Sequence, residues 1–179
     1  AQILGQVKSA LAAADLAGVA GATLHRLFEV GAHTGKRART ETPIDEQTTS
    51  ISHAAARLLM NRVESSQSEV LVIGTGEMAA LAAQALADRQ YTNLHIVNRT
   101  YAHGADLAQH VGASAYEWSC LWDRLASADA VITATGAPHP VLYLDDMRRV
   151  VALRDGKPLV MIDIAVPRDI DDAVQTLDK

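Results

Sequence analysis

The residues of this 179-residue chain best suited to chemistry are Gly74-Thr75-Gly76-Glu77-Met78-Ala79. They follow directly on the apolar run Val70–Ile73 and open the alanine-rich stretch Met78–Leu86. Between a strand and a helix, the first glycine permits a tight turn and the second lets a ligand approach the backbone. Ala79, small in place of a third glycine, lets the helix pack close to the strand. Unpaired amides at the helix start, reinforced by the helix dipole, then face an anion. The spacing predicts a pyrophosphate cradle at Gly74, Thr75, Gly76, Glu77, Met78 and Ala79; a bare structural turn is the competing reading.

The next apolar run, Leu94–Val97, ends in Asn98-Arg99-Thr100. Domains selective for NAD usually place Asp or Glu here, to bond the ribose 2′-hydroxyl. A carboxylate would repel a 2′-phosphate, whereas Arg99 can meet one with charge-assisted hydrogen bonds. Asn98, Arg99 and Thr100 are therefore expected to hold the adenosine half of NADP(H), against the alternative that Arg99 is a solvated loop charge. Thr135-Gly136-Ala137 ends a further strand, and in open α/β sheets the ligand crevice lies at such carboxyl ends. Thr135 and Gly136 are expected to line it near the nicotinamide ribose, although Pro138 and Pro140 also suit a plain turn. His139, between those prolines, reads as a solvated turn histidine rather than a catalytic acid. Asp163 to Pro167 would border the same crevice.

The elements that position these residues alternate. From residue 69 onward, strands at Val70–Ile73, Leu94–Val97, about Ala115–Glu117, Ala130–Ala134 and Leu159–Ile164 are separated by helices. Those helices are Met78–Leu86, about Tyr101–Val111, Cys120–Ala126 and Leu144–Leu153. Short, continuously apolar strands alternating with helices predict an α/β fold: a Rossmann-type doubly wound parallel sheet. A helical segment precedes it. Ile3, Leu4, Val7, Leu11 and Ala14 recur at helical spacing, as do Leu24, Leu27, Phe28 and Val30, with Gly18 and Gly21 at the join. Thr40–Thr49, containing Pro43, reads as a linker, and Ser50 or Ser52 as the cap of a third helix reaching about Arg62. The expected domains are residues 1–48 and 49–179.

Composition narrows the class. The chain is 49% apolar but only 4% aromatic, so its core must be built from Ala, Val, Leu and Ile. Charged residues, at 21%, suit a globular protein. No run of about 18 apolar residues offers a membrane span, and no secretory leader is visible. A single cysteine, Cys120, excludes an internal disulfide and suits a reducing, cytoplasmic setting. A net charge of −5 makes the chain as a whole a poor polyanion binder.

Several long strings, in order, resemble the glutamyl-tRNA reductase family. They are Gln2-Ile3-Leu4-Gly5-Gln6-Val7-Lys8, Gly35-Lys36-Arg37, Arg39-Thr40-Glu41-Thr42, Ser50-Ile51-Ser52 and Gly74-Thr75-Gly76-Glu77-Met78. Beyond these come Asn98-Arg99-Thr100, Thr135 to Pro140 and Asp163 to Asp169. The resemblance implies NADPH-dependent reduction of glutamyl-tRNA to glutamate-1-semialdehyde, in tetrapyrrole (porphyrin and heme) biosynthesis. It implies a thioester formed on a family cysteine, and assigns Ala1, Gln2 and Gln6 to recognition of the glutamyl group. From the residues alone, the two glutamines read as an exposed helix face. The family cysteine lies upstream of the Gln2 string. The chain is therefore expected to be a fragment that ends the catalytic domain, supplies the NADPH domain and is inactive alone. Cys120 is expected to be a partly buried structural thiol. The resemblance further implies a homodimer in the full-length enzyme, through a C-terminal domain outside this chain, and the downstream aminomutase as a partner.

Arg26, Lys36, Arg37 and Arg39 read as a solvated helix face, with contact to tRNA phosphates as the alternative. Two other functions fit parts of the chain. One is a shikimate-dehydrogenase-like NADP oxidoreductase, which would need a substrate domain with its own strands. The other is a non-catalytic NADPH-binding module.

Overall fold

The computed structural model describes residues 2–42, 50–63 and 65–177, and of residues 2–4 and 39 the backbone only. The chain divides into two compact units, Ala1–Thr48 and Thr49–Lys179.

The first unit holds helices α1 (Gln2–Leu16) and α2 (Ala22–Glu41). Between them the His25 ring lies 2.7 Å from the Asp15 carboxylate. Helix α2 continues through Thr40 and Glu41, two residues into the expected linker. Arg37 donates two bonds to Glu41 one turn on, at 2.8 and 2.9 Å, and Thr40 Oγ1 donates back to the Lys36 carbonyl. Such local pairs extend a helix past the point where apolar periodicity stops. Residues 43–49, the rest of the expected linker, lie outside the described residues.

The second unit opens with α3 (Ile51–Met60), capped by Ser50, whose hydroxyl accepts the His53 amide. Ser50 is thus the cap of the two candidates, and the helix ends two residues before the expected Arg62. The alternation that follows is β1 (Val70–Ile73), α4 (Glu77–Ala87), β2 (Leu94–Val97), α5 (Tyr101–Val111), β3 (Ser114–Tyr116), α6 (Leu121–Ser127), β4 (Ala130–Thr133), α7 (Leu144–Leu153) and β5 (Val160–Asp163). All strand pairings are parallel, in the order β3-β2-β1-β4-β5. This is a doubly wound, Rossmann-like sheet. The chain works outward from β1 to β3, then crosses back to β4, so the topological switch lies between β1 and β4.

Side chains alternate across the strands and fill two cores. Val70, Val72, Leu94, Ile96 and Ile132 face α3, α4 and α5. Leu71, Ile73, Val97 and Val131 face α6 and α7. Every residue of β1 is fully buried, each such side chain contributing roughly 1.5–3 kcal/mol by removal from water. Ala79, Ala82 and Ala83 of α4 are also fully buried. Their small side chains let the helix lie close to β1 and α3, which is how a core with few aromatic residues closes.

Charged residues collect at the amino-terminal rim of the sheet. Asp129 accepts the Glu69 amide and the Lys157 ammonium, both at 2.8 Å. Burial alone would raise the Asp129 pKa, but these two donors outweigh it and hold the carboxyl below its usual range. Glu69 in turn accepts from Ser127 at 2.6 Å and lies 3.5 Å from both Arg124 and His95. Arg154, only 5% exposed, donates to four backbone carbonyls. They are Leu125 (2.6 Å), Ala126 (3.0 Å), Lys157 (3.0 Å) and Pro158 (2.5 Å). One guanidinium thereby ties the end of α6 to the turn between α7 and β5.

His95, on β2, is buried against the Tyr116 ring, with Arg124 stacked on that same ring. Its Nδ1 has no hydrogen-bond partner among the described residues. Burial depresses its pKa, and the Arg124 charge adds to this against the opposing pull of Glu69. An imidazole that resists protonation only when folded contributes stability above the unfolded pKa of about 6.5. That stability is lost as pH falls from there through the folded value. Urea unfolding followed between pH 7.5 and 5 is expected to show this slope, and His95→Gln to flatten it. A slope unchanged in the variant would assign the effect to other groups.

Candidate functional site

The loop after β1 is held by backbone bonds that continue the sheet. The Gly74 amide donates to the Val97 carbonyl and the Ala134 amide to Ile73, each at 2.9 Å. Gly74 adopts φ +106°, and a Cβ placed on it would stand 2.5 Å from the Ala134 carbonyl oxygen. Only glycine satisfies both the backbone angle and the approach of β4. Gly76, the N-cap of α4, has no side-chain cap, and a Cβ there would meet nothing within 4 Å. The first turn of α4 therefore presents backbone amides to an open space. Glu77 is exposed at that turn, Thr75 is half-buried, and Ala79 is fully buried beneath it. Met78, partly buried, accepts a weak bond from the Ser52 hydroxyl at 3.5 Å, with Ser52 itself fully buried. The unblocked amides of this first turn suit an anion held by backbone rather than by side-chain charge.

At the end of β2, Arg99 and Thr100 are exposed. Asn98 Nδ2 donates to the Thr100 carbonyl at 2.9 Å, which fixes the turn that presents Arg99. Among the described residues Arg99 has no ion pair, so its charge is available to a ligand.

The third part of the site rests on two aspartates: Asp163, expected at the border of the crevice, and Asp169, to which sequence reasoning gave no role. Asp163, the last residue of β5, accepts from Thr133 Oγ1 (3.1 Å) and from the amides of Ala165 (2.9 Å), Asp169 (2.9 Å) and Ile170 (3.0 Å). Asp169, fully buried, accepts the Thr135 amide at 2.8 Å and the Thr135 hydroxyl as well. Thr135 Oγ1 accepts in turn from the Ala137 amide at 3.1 Å. The Asp169 carbonyl accepts the amides of Val141 (2.7 Å) and Leu142 (3.0 Å). Burial pushes the Asp169 carboxyl above its ordinary range, and the nearby Asp163 charge adds to this while the Thr135 bonds oppose it. Gly136 is exposed on the loop so framed, and a Cβ on it would meet nothing within 4 Å. The only sequence signal for the pair was the string Asp163 to Asp169, which names no partner thirty residues away.

Topology brings residues 74–79, 98–100 and 135–137 to one edge, because β1, β2 and β4 are adjacent and parallel. His139 lies exposed in the loop after β4, and Cys120 is partly buried at the turn before α6. A separate groove of about 810 Å³ runs along β5 and α7, lined by Met147, Val151, Met161 and Val174, without the glycine loop. In the first unit Gln6 is exposed on α1, whereas Ala1 and the side chain of Gln2 lie outside the described residues. Arg26, Lys36 and Arg37 are exposed on α2, with Arg37 paired to Glu41 and Arg26 4.0 Å from Glu29. The Arg39 side chain lies outside the described residues. No helix is long and apolar enough to cross a membrane, and no cluster of metal ligands occurs, among the described residues.

Comparison with known proteins gives two family matches, in different parts of the chain. Residues 55–179 match the family model described as shikimate / quinate 5-dehydrogenase. Residues 1–42 match the one described as the N-terminal domain of glutamyl-tRNAGlu reductase. A glutamyl-tRNA reductase from Maridesulfovibrio salexigens is 41% identical over 99% of this chain and 40% of its own length. The solved glutamyl-tRNA reductase from Methanopyrus kandleri is 40% identical, with a TM-score of 0.67 over 99% of this chain and 45% of that one. The nucleotide-binding domain of a glutamyl-tRNA reductase from Thermoplasma volcanium shares the fold at 20% identity, with a TM-score of 0.55 over 68% of this chain. The chain thus spans about 40% of the length of the curated relatives it matches.

Proposed function

The chain belongs to the glutamyl-tRNA reductase family, with residues 55–179 in the shikimate/quinate 5-dehydrogenase family of domains, and on that premise we propose that it supplies the NADPH-binding part of such a reductase. The carrying observation is the glycine loop: Gly74 fits only as glycine, and the α4 amides open onto space that a Cβ at Gly76 would occupy.

In this reading the α4 amides bind the pyrophosphate and Ala79 seats the helix. Arg99, presented by the Asn98–Thr100 turn, pairs with the 2′-phosphate. Thr135 and Gly136 carry the nicotinamide ribose at the end of β4. When bound, the cofactor supplies hydride to the substrate's activated acyl carbon. The protein's contribution is to aim the nicotinamide and exclude water, because the reacting acyl group is held elsewhere in the whole enzyme. The remaining assignments rest on the family premise. They are glutamyl-tRNA reduced to glutamate-1-semialdehyde for tetrapyrrole and heme synthesis in the cytoplasm, and Ala1, Gln2 and Gln6 at the glutamyl site. They also include residues 1–48 as the end of the catalytic domain and 49–179 as the cofactor domain. Homodimerisation and an aminomutase partner are properties proposed for the whole enzyme.

Calorimetric titration with NADPH and NADH tests the cofactor assignment. Wild-type protein is expected to prefer NADPH. Arg99→Ala should reduce NADPH affinity by about ten- to a hundredfold, the worth of roughly 1.5–3 kcal/mol for a charged hydrogen bond, and leave NADH unchanged. Equal binding of both cofactors by wild-type protein would remove Arg99 from this role. The shikimate-type match of residues 55–179 favours one other reading, an oxidoreductase acting on a hydroxylated cyclic acid. Turnover of shikimate with NADP would establish it. The match of residues 1–42 to the reductase N-terminal domain argues against it.

A further inference from the structure

We infer that Asp169 is a positioning residue for the nicotinamide half of the cofactor, acting through the Thr135–Ala137 backbone; the inference rests on the cofactor reading above. The observation is a strap of hydrogen bonds joining two segments about thirty residues apart. The Asp169 carboxylate takes both the amide and the hydroxyl of Thr135. That hydroxyl, oriented by its donation to Asp169, keeps a lone pair for the Ala137 amide. Three consecutive residues at the mouth of β4 are therefore fixed by one buried acid. Its carbonyl secures the far end of the same loop at Val141 and Leu142.

Asp169 is itself pinned through its amide by Asp163, the residue that ends β5. The loop after β4 consequently inherits its position from β5 rather than from its own local turn. The adenosine side of the crevice, built from β1, α4 and the end of β2, shares no bond with this strap among the described residues. Loosening Asp169 should therefore alter contacts with the nicotinamide ribose and leave those with the adenosine 2′,5′-phosphates intact. A fully desolvated carboxylate that accepts two bonds from one residue is a means of holding that residue's backbone at a fixed angle.

The test compares two ligands by calorimetry on this chain: NADPH, and adenosine 2′,5′-bisphosphate, which lacks the nicotinamide half. Asp169→Ala is expected to weaken NADPH by about tenfold, equivalent to about 1.4 kcal/mol, and to leave the bisphosphate within about twofold. Thr135→Val, which keeps the shape but removes the hydroxyl link, should give the same split. Asp169→Asn retains an acceptor for the Thr135 amide and a donor toward its hydroxyl, and should recover most of the affinity. Should Asp169→Ala fail to fold, the Thr135→Val comparison decides. Equal weakening of both ligands, or of neither, overturns the inference in favour of a purely structural strap. Wild-type protein that binds the bisphosphate as tightly as NADPH overturns it too, while sparing the glycine-loop reading. Wild-type protein that binds neither overturns the cofactor reading itself, and the inference with it.

Discussion

Gly74→Ala is expected to cost about 3 kcal/mol or more of stability and to abolish cofactor binding. The added Cβ would stand 2.5 Å from the Ala134 carbonyl oxygen, at a φ of +106° that L-residues rarely adopt. The backbone strain alone costs roughly 1–2 kcal/mol, and forcing β1 and β4 apart adds an overpacking penalty of similar size. Gly76→Ala is the informative contrast. Its Cβ meets no protein atom, so urea unfolding should change by less than about 0.5 kcal/mol. NADPH binding should nevertheless fall sharply, because the methyl group enters the open space that the proposed reading gives to the pyrophosphate. A Gly76→Ala protein that binds NADPH normally would mean that the phosphates do not approach this turn.

Arg154→Met is expected to have the opposite profile. It leaves four backbone carbonyls without a donor in a buried setting, and each unsatisfied buried acceptor costs about 1–3 kcal/mol. Relaxation and water entry recover part of this, giving a net loss of about 3 kcal/mol or more. Lysine should not rescue, because its single ammonium cannot reproduce a planar fork aimed at four carbonyls. NADPH affinity of the folded fraction should stay at the wild-type value, since Arg154 lies at the amino-terminal rim and the glycine loop at the carboxyl rim. Chemical denaturation and titration of the same samples separate the two effects. Stability close to wild type would show that the guanidinium is dispensable as a clamp.

The sheet was legible in the sequence wherever strands are buried on both faces. Val70–Ile73, Leu94–Val97 and Ala130–Thr133 are mainly apolar, broken only by His95 and Thr133, and form strands at or within one residue of the expected limits. The edge strand β3 lies one residue earlier than expected, at Ser114–Tyr116. A half-exposed edge strand carries no such run, so its bounds depend on pairing with β2 rather than on its own pattern. Likewise α6 starts at Leu121, one residue late, because a short 3₁₀ turn at Trp118–Cys120 precedes it. At the candidate site, the placement of the glycine loop and of the Asn98-Arg99-Thr100 turn was legible because each is a local feature directly after a strand. The Asp169–Thr135 strap and the Arg154 clamp were not. Both join residues about thirty positions apart, which leave no periodicity and no motif.

The residues proposed to read the cofactor's 2′ position take little part, among the described residues, in holding the domain together. Arg99 and Thr100 are exposed, and the Asn98 side chain bonds only within its own turn. On the proposed reading, substitutions at these three positions can therefore change cofactor preference at little cost in folding stability. Cofactor choice, on that reading, is written on the surface of the domain and not in its core.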